Sequence, residues 1–460
     1  MQTQSLKRSV FSTFFISSIV LSTAASADSV LIGVNTSPLT INDDATTTIV
    51  TGTQFQNDNE LSVIGQPYVK DPVLANKGTF INNGTFYAKF SGLNNDGVLL
   101  NTGSLTTHVS GLNNAASGHI TNTGYIYNNS GRLKNDGFID NQAEFNNSGT
   151  LTNYGQLTNQ DTFTNRGVLS SYRGATLTNT GTLTNTSAGR FNNYIDSTLI
   201  NDGTMNNEGR FTNAGKLINN GSFTNKYVFS NAINDTVTNN GVMTNNSTLQ
   251  NMNEIINTGV FINNEKATIR GNGSSVGNYT QTAGQTINNG VITQTSVNIN
   301  GGSLSGTGTI NSNVTVNGTS SDNYASINAG NSIGTMTING NYTQGEFGSM
   351  VVEFNETSSD IFNISHEASL AGLLTFEFIG ENVQVGTFQF LTFSSIIGSF
   401  DSIIYPSLMG FNFDVVFGDT FANLEISQSV SEVPVPASLF LFAPALLGFL
   451  GLRRKKAMAA

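Results

Sequence analysis

Cleavage of a glycosidic bond needs two carboxylates about 5–9.5 Å apart, one of them held protonated. The sequence offers 30 Asp and Glu residues for such work. They are scattered, as Asp43-Asp44, Asp58/Glu60, Asp96, Asp136/Asp140, Asp202/Glu208 and Glu353/Glu356. Asp43, Asp96, Asp136 and Asp202 stand in NND, KND or IND contexts, where Asp replaces Asn as a turn residue bonding its local backbone. They read as solvated corner residues rather than as an acid and its base. Three His residues (His108, His119, His366) lie far apart, and with no Cys there is no thiolate nucleophile, Cys-ligated zinc or iron–sulfur cluster. No GGxGxD or EF-hand calcium spacing, no G-x-S-x-G elbow at a strand–helix turn and no phosphate loop occurs. The chain is therefore expected to be non-catalytic, without metal or cofactor. Its net charge of −11 and lack of a basic stripe argue against nucleic acid as a partner.

What the sequence does supply is amide, hydroxyl and backbone. Of 460 residues, 63 are Asn and 48 are Gly, while only 11% are charged. Disorder would call for high charge and few aromatic or β-branched residues, yet 31 Phe and abundant Val, Ile and Thr are present. From about Gly78 to Ile269 the chain repeats G-x-Φ-x-N-x, with Φ apolar, as in GTLTNY, GQLTNQ and DTFTNR at 149–166. Thirty apolar positions run from Phe80 and Phe86 through Leu151, Leu157 and Phe163 to Phe261 and Ile269, in steps of six, seven or eight. A helix would need apolar residues at three- and four-residue intervals. One apolar residue between polar neighbours fits a short strand with one inward side chain, and Gly and Asn at the joins can take the conformations that corners demand.

Proline strengthens this reading. None occurs between Pro72 and Pro406, as expected where nearly every N–H must donate to a neighbouring strand. The pattern predicts an all-β protein built on a parallel β-helix, with three strands per turn and about ten turns over the clean repeat. The recurring Asn should stack into ladders along the axis. Burying one Leu or Phe gives about 1.5–3 kcal/mol, less than the cost of ordering six residues at about 1–2 kcal/mol each. Stability must then come from stacking, with both ends covered. Strict six-residue steps would suit a left-handed coil; the repeated eights favour a right-handed one.

The expected organisation is a leader at 1–27, an N-terminal β cap at 28–77, hexapeptide-type repeats at 78–277, and a continued coil with longer strands at 278–345. A Phe-rich segment follows at 346–430, where 13 of the 31 Phe fall before 428. Its strands, among them Met350–Phe354, Leu373–Phe378 and Phe411–Phe417, have hairpin-like spacing and suggest a small β-sandwich closing the coil's edge. From GSLSGTGTI through INAGNSIGTMTINGNYTQG to the Phe-rich strands, the sequence resembles the ends of autotransporter passenger and filamentous-haemagglutinin-like adhesin domains. That resemblance implies an adhesin-like rod. No barrel-forming segment follows, so self-export is not expected. Thr-Φ-Thr triplets at Thr150–Thr152, Thr162–Thr164, Thr176–Thr178, Thr182–Thr184 and Thr236–Thr238 raise a minor alternative, an ice-binding lattice, if they align in one flat column. Fold analogy alone raises another, a polysaccharide lyase or hydrolase.

Both ends read as addresses. Lys7 and Arg8, an apolar run from Val10 to Leu21 and the Ala25-Ser26-Ala27 site make a secretory signal peptide, with Asp28 as the mature start. At 431–460, Val433-Pro434-Val435-Pro436 precedes an apolar run from Ala437 to Leu452 and the basic cluster Arg453-Arg454-Lys455-Lys456. The run would span about 24 Å as a helix, slightly short of a ~30 Å hydrocarbon core, and the cluster should stay cytoplasmic. The three-part tail resembles that of PEP-CTERM proteins of Gram-negative bacteria, with Val435 and Ala437 matching a VPxPA-like variant. The resemblance implies an exosortase-type processing enzyme, transient residence in the inner membrane, and delivery to the cell surface or a biofilm matrix of extracellular polysaccharide. Residues 28–432 carry 13 basic and 30 acidic side chains, a net charge of −17.

Overall fold

The computed structural model describes residues 29–41, 46–65, 73–233 and 236–429. They form an all-β parallel β-solenoid, and no helix occurs among them. Three faces alternate along the chain. Arg190–Asn193, Thr198–Asn201 and Thr204–Asn207 are one turn's strands on faces 1, 2 and 3, and each pairs in parallel with its counterparts one turn away. Eighteen strands stack on face 3, giving about 17 turn-to-turn steps. At ~4.8 Å per step the coil is about 80 Å long.

Each four-residue strand points its second and fourth residues inward. The second is the apolar residue of the repeat, and all thirty of those positions are 0–2% exposed. The fourth is the Asn, also inside. At the corner between faces 2 and 3, eleven bonds of 2.7–2.8 Å join Asn35 to Asn257 through every turn, each Nδ2 donating to the next Oδ1. The corner between faces 3 and 1 carries a second ladder from Asn128 to Asn288. A third, between faces 1 and 2, is broken at Ser171, with Asn76 to Asn153 on one side and Asn193 to Asn251 on the other. Most ladder amides also donate to a backbone carbonyl, as Asn201 does to Ser222 at 3.0 Å. Every bond points toward the C-terminus, so the first Oδ1 of the broken ladder, on Asn76, accepts nothing.

Step length follows corner chemistry. Every step across the corner between faces 2 and 3 within the repeat is six residues, as in NTGS at 101–104 and NNGS at 219–222. An added Cβ on Gly221 would sit 2.1 Å from the Gly203 carbonyl one turn away, so the tight corner needs glycine. The three seven-residue steps each hold one extra residue at positive φ, namely Phe90 (48°), Val109 (51°) and Ser130 (58°). Eight-residue steps open four-residue loops, three of them with left-handed residues, at Gly174, Asp196 and Lys266.

The expected N-terminal cap is instead part of the coil. Ser29–Val30, Gly33–Asn35 and Leu39–Ile41 stack in parallel on the following turn. In 278–345 the longer strands are present: Val291–Ile299 and Thr309–Val316 each cover faces 1 and 2. The β-sandwich is a correction. Gly348–Phe354 and Leu373–Phe378 pair in parallel with each other and with their neighbours, continuing face 3 as far as Ser402–Ile404. Antiparallel strand pairing is confined to the end, where Phe421–Gln428 lies between Gly386–Thr392 and Phe411–Phe417. The Phe-rich strands thicken the coil: Phe354, Phe376 and Phe390 pack inside it rather than between two sheets.

Candidate functional site

The predicted signal residues Ala25, Ala27 and Asp28, the sorting motif Val433–Ala437 and the basic residues Arg453–Lys456 lie outside the described residues. Among the described residues no helix is long and apolar enough to cross a membrane.

The carboxylates fall into two kinds. Those of the repeat are held by turn amides: Asp140 accepts Gln142 and Gln160 at 2.6 and 2.7 Å, Asp202 accepts Asn220 at 2.7 Å, and Asp58 accepts Gln56 and Asn83. Asp58 and Asp202 stand at corners, as their sequence context suggests, whereas Asp140 stands on the face 2 strand Phe138–Asn141. A closer group is found at Glu353, Asp360 and Glu377. Asp360 accepts backbone N–H from Gly334 and Glu353, both at 2.9 Å, and burial pushes its pKa up to about 7. Glu353 and Glu377 are in register on face 3, and burial and the Glu377 charge raise the Glu353 pKa. Asp360 is 0% exposed, so a polymer on the surface cannot reach it. It fastens two strands. No group of three or more His, Asp and Glu side chains arranged to hold a metal occurs among the described residues.

The Thr triplets separate once the chain is coiled. Thr150–Thr152 lies on face 1 and Thr176–Thr178 and Thr236–Thr238 on face 2, while Thr162–Thr164 and Thr182–Thr184 stack in register on face 3. Below them come Thr204/Asn206 and Ser222/Thr224, a short uncharged column bounded above by Glu144.

Face 1 is different from the other two. Its sixteen strands from Thr46–Ile49 to Ile361–Ile364 contain no Asp or Glu, and they carry Arg132, Lys134, Arg190, Arg210 and Arg270. Face 2 strands hold Asp140, Glu254 and Glu367 against one cation, Lys216; face 3 strands hold Glu60, Glu144, Glu353 and Glu377 against Lys89. Between the cations, face 1 presents Thr150, Thr152, Asn192 and Thr212, all partly exposed. One margin is a tyrosine stack: Tyr154, Tyr172 and Tyr194 have ring centroids 5.1 and 4.5 Å apart, with Lys134 over Tyr154 at 5.4 Å. On the other margin, Arg190 and Arg210 stand opposite each other in adjacent turns and line a cavity of about 360 Å³ with Glu208 and Tyr227. Sequence reasoning missed this face because its cations are scattered from Arg132 to Arg270, and even Arg190 and Arg210, twenty residues apart, align only through the strand register.

Compared with known proteins, the chain matches no family model and no curated protein sequence.

Proposed function

We propose that the chain is an exported, non-catalytic structural protein of adhesin type, which serves at the cell surface or in an extracellular matrix by holding polysaccharide along its solenoid. The observation that carries this reading is repetition. Outward-facing Thr, Asn and Ser recur at one-turn spacing over many turns, and a repeating array suits a repeating polymer better than a single small substrate. Fixed amide ladders inside and strands that all pair in register support a stiff rod. Carboxylates of the repeat are engaged by amides, as at Asp140 and Asp202, or by lysines, as at Asp136 and Glu208, which supports a role without acid–base chemistry. The charged leader and the Pro-x-Pro, apolar and basic tail support export and sorting by an exosortase-type enzyme, with transient residence in the inner membrane.

The test is co-sedimentation of the purified chain with exopolysaccharide from the producing cells. Binding is expected in the pellet; a chain that stays wholly in the supernatant across matrix preparations removes the adhesive reading. Deleting residues from Val433 onward should move the protein out of the cell-surface fraction, and unchanged retention would sink the sorting assignment.

A further inference from the structure

We infer that face 1 is the binding surface, and that its ligand is an acidic polysaccharide whose carboxylate or sulfate groups are gripped by Arg190 and Arg210. The inference rests on the polysaccharide reading above and narrows it to one face and one chemical class.

Three observations point the same way. The first is charge segregation: a chain with net charge −17 over residues 28–432 keeps the sixteen face 1 strands from Thr46–Ile49 to Ile361–Ile364 free of Asp and Glu. The second is a cost with no internal compensation. Arg190 and Arg210 are directly opposite in adjacent parallel strands, where like charges repel and destabilise the pairing. Among the described residues there are only two ion pairs, Lys134–Asp136 at 2.5 Å and Lys226–Glu208 at 3.0 Å, so Glu208 is engaged elsewhere and neither arginine has a carboxylate partner. A shared anion would remove the repulsion. The third is the cavity beside them, about 360 Å³, bounded by the four-residue loop at 186–189 and open to solvent along the face.

The chemistry fits a glycan. Two planar guanidiniums present forked donors to a carboxylate or sulfate. The neighbouring Asn192 and Thr212 side chains can bond the ring hydroxyls of the same sugar chain. DNA fits less well, because it carries a charge every ~1.7 Å while face 1 offers cations in separated groups on a strongly acidic rod. Sulfated and uronate-bearing chains share the anionic chemistry, and the test separates them.

The experiment measures binding of the full chain, in neutral detergent, to immobilised polygalacturonate, dextran sulfate, neutral dextran and duplex DNA at several salt concentrations. Three proteins are compared: the natural chain, Arg190→Gln/Arg210→Gln, and Lys89→Gln/Lys216→Gln, which removes equal charge from the other faces. Cooperative melting no lower than that of the natural chain establishes that the variants fold, and the arginine variant should melt slightly higher because the repulsion is gone. Binding to an acidic glycan that falls with salt, drops about tenfold or more in the arginine variant and is little changed in the lysine variant supports the proposal. Preference for polygalacturonate or for dextran sulfate then identifies the acid group. Equal losses in both variants, no loss in either, or DNA binding as tight as glycan binding overturns it. Binding to neutral dextran alone overturns it too but leaves the polysaccharide reading standing. Failure to bind even the producer's exopolysaccharide removes both.

Discussion

Residues 73–263 and residues 291–428 fill the same coil in two ways. In the first region most strands send in one apolar side chain and one Asn, the exceptions being Thr85–Lys89, Ser104–His108 and Val168–Ser171, where Ala88, Thr107 and Ser171 take the Asn position. In the second, strands such as Thr335–Ile338, Gly348–Phe354 and Ile361–Ile364 send in two or three apolar side chains and no Asn. The change is made by Gln. Asn257 donates to Gln281 at 3.4 Å, and Asn251 reaches past a whole turn to Gln294 at 2.6 Å. Beyond these, Gln344 donates to the Gly348, Ala371 and Leu373 carbonyls, closing a corner that no stacked amide serves. Charge divides along the same line. All 13 basic residues of 28–432 precede residue 271, and 271–432 holds 13 acidic residues with none to balance them. A ladder fixes register strongly, because a slipped strand would leave amides unpaired in the interior. An apolar interior tolerates variation in strand length, and strands of seven to nine residues appear only where the ladder has ended.

The largest effect should come from removing one interior residue of each kind. Asn201 accepts from Asn179 at 2.8 Å and donates to Asn219 at 2.7 Å and to the Ser222 carbonyl. Asn201→Ala strands a buried donor above and a buried acceptor below, each costing about 1–3 kcal/mol, for a total of about 2–5 kcal/mol. Phe376→Ala opens a cavity instead and should cost about 3–5 kcal/mol. Hydrogen exchange tells the two apart. Asn201→Ala should raise exchange for turns on both sides of the gap, whereas Phe376→Ala should act within the turns from 348 to 428. Identical exchange patterns would mean that the two regions unfold as one unit and that the distinction has no energetic meaning.

The repeat was legible in the sequence because its signal is local: one apolar residue and one Asn in each six residues, with eights where loops open. All thirty positions read as rungs line the core. The end turns were not legible as coil. Nothing in Met350–Phe354 or Leu373–Phe378 marks parallel pairing across more than twenty residues, and a run of Phe at hairpin spacing is equally the sign of a sandwich. The same reason hid face 1. Arg190 and Arg210 lie in unrelated hexapeptides, and only the sum of an eight-residue and two six-residue steps places one over the other. Carboxylates such as Asp96, Asp136 and Asp202, by contrast, could be assigned from their corner context alone, while Asp140, Glu144 and Glu254 stand on strands.

A smaller effect separates the acidic C-terminal turns from the repeat by pH. Asp360 is buried, and its folded pKa is about 7 against an ordinary 3.8. A carboxyl group whose pKa is raised on folding binds its proton more tightly in the native state. Its contribution to stability is full below pH ~4 and is lost as pH rises through about 7. With allowance for screening, the loss is on the order of 2 kcal/mol. Unfolding of the C-terminal turns should therefore become easier between about pH 4 and about pH 7. Asp360→Asn should flatten that slope, and an unchanged slope would show that Asp360 does not carry the proton.

The smallest effect expected is a gain. The ladder between faces 1 and 2 fails at one position, Ser171, which is 0% exposed and whose Oγ has no partner. Above it, Asn153 Nδ2 turns to the Thr176 carbonyl at 3.2 Å. Below it, the Asn193 Oδ1 is supplied by the Ser197 hydroxyl at 2.8 Å. Strands paired with Val168–Ser171 on either side end in Asn153 and Asn193, so the backbone there already has the register that an inward Asn requires. Ser171→Asn would accept from Asn153 and donate toward Asn193, replacing an unsatisfied hydroxyl with two amide bonds. At about 1 kcal/mol net for a buried hydrogen bond, less the ordering of a longer side chain, the gain should be about 1 kcal/mol, read as a higher denaturation midpoint. A loss would mean that Ser171 is a required break, its small side chain making room for the loops at 172–175 and 194–197 that carry the tyrosine stack. Tyr172→Ala in the same background decides between the two: only if the stack depends on the break should removing the ring make Ser171→Asn favourable.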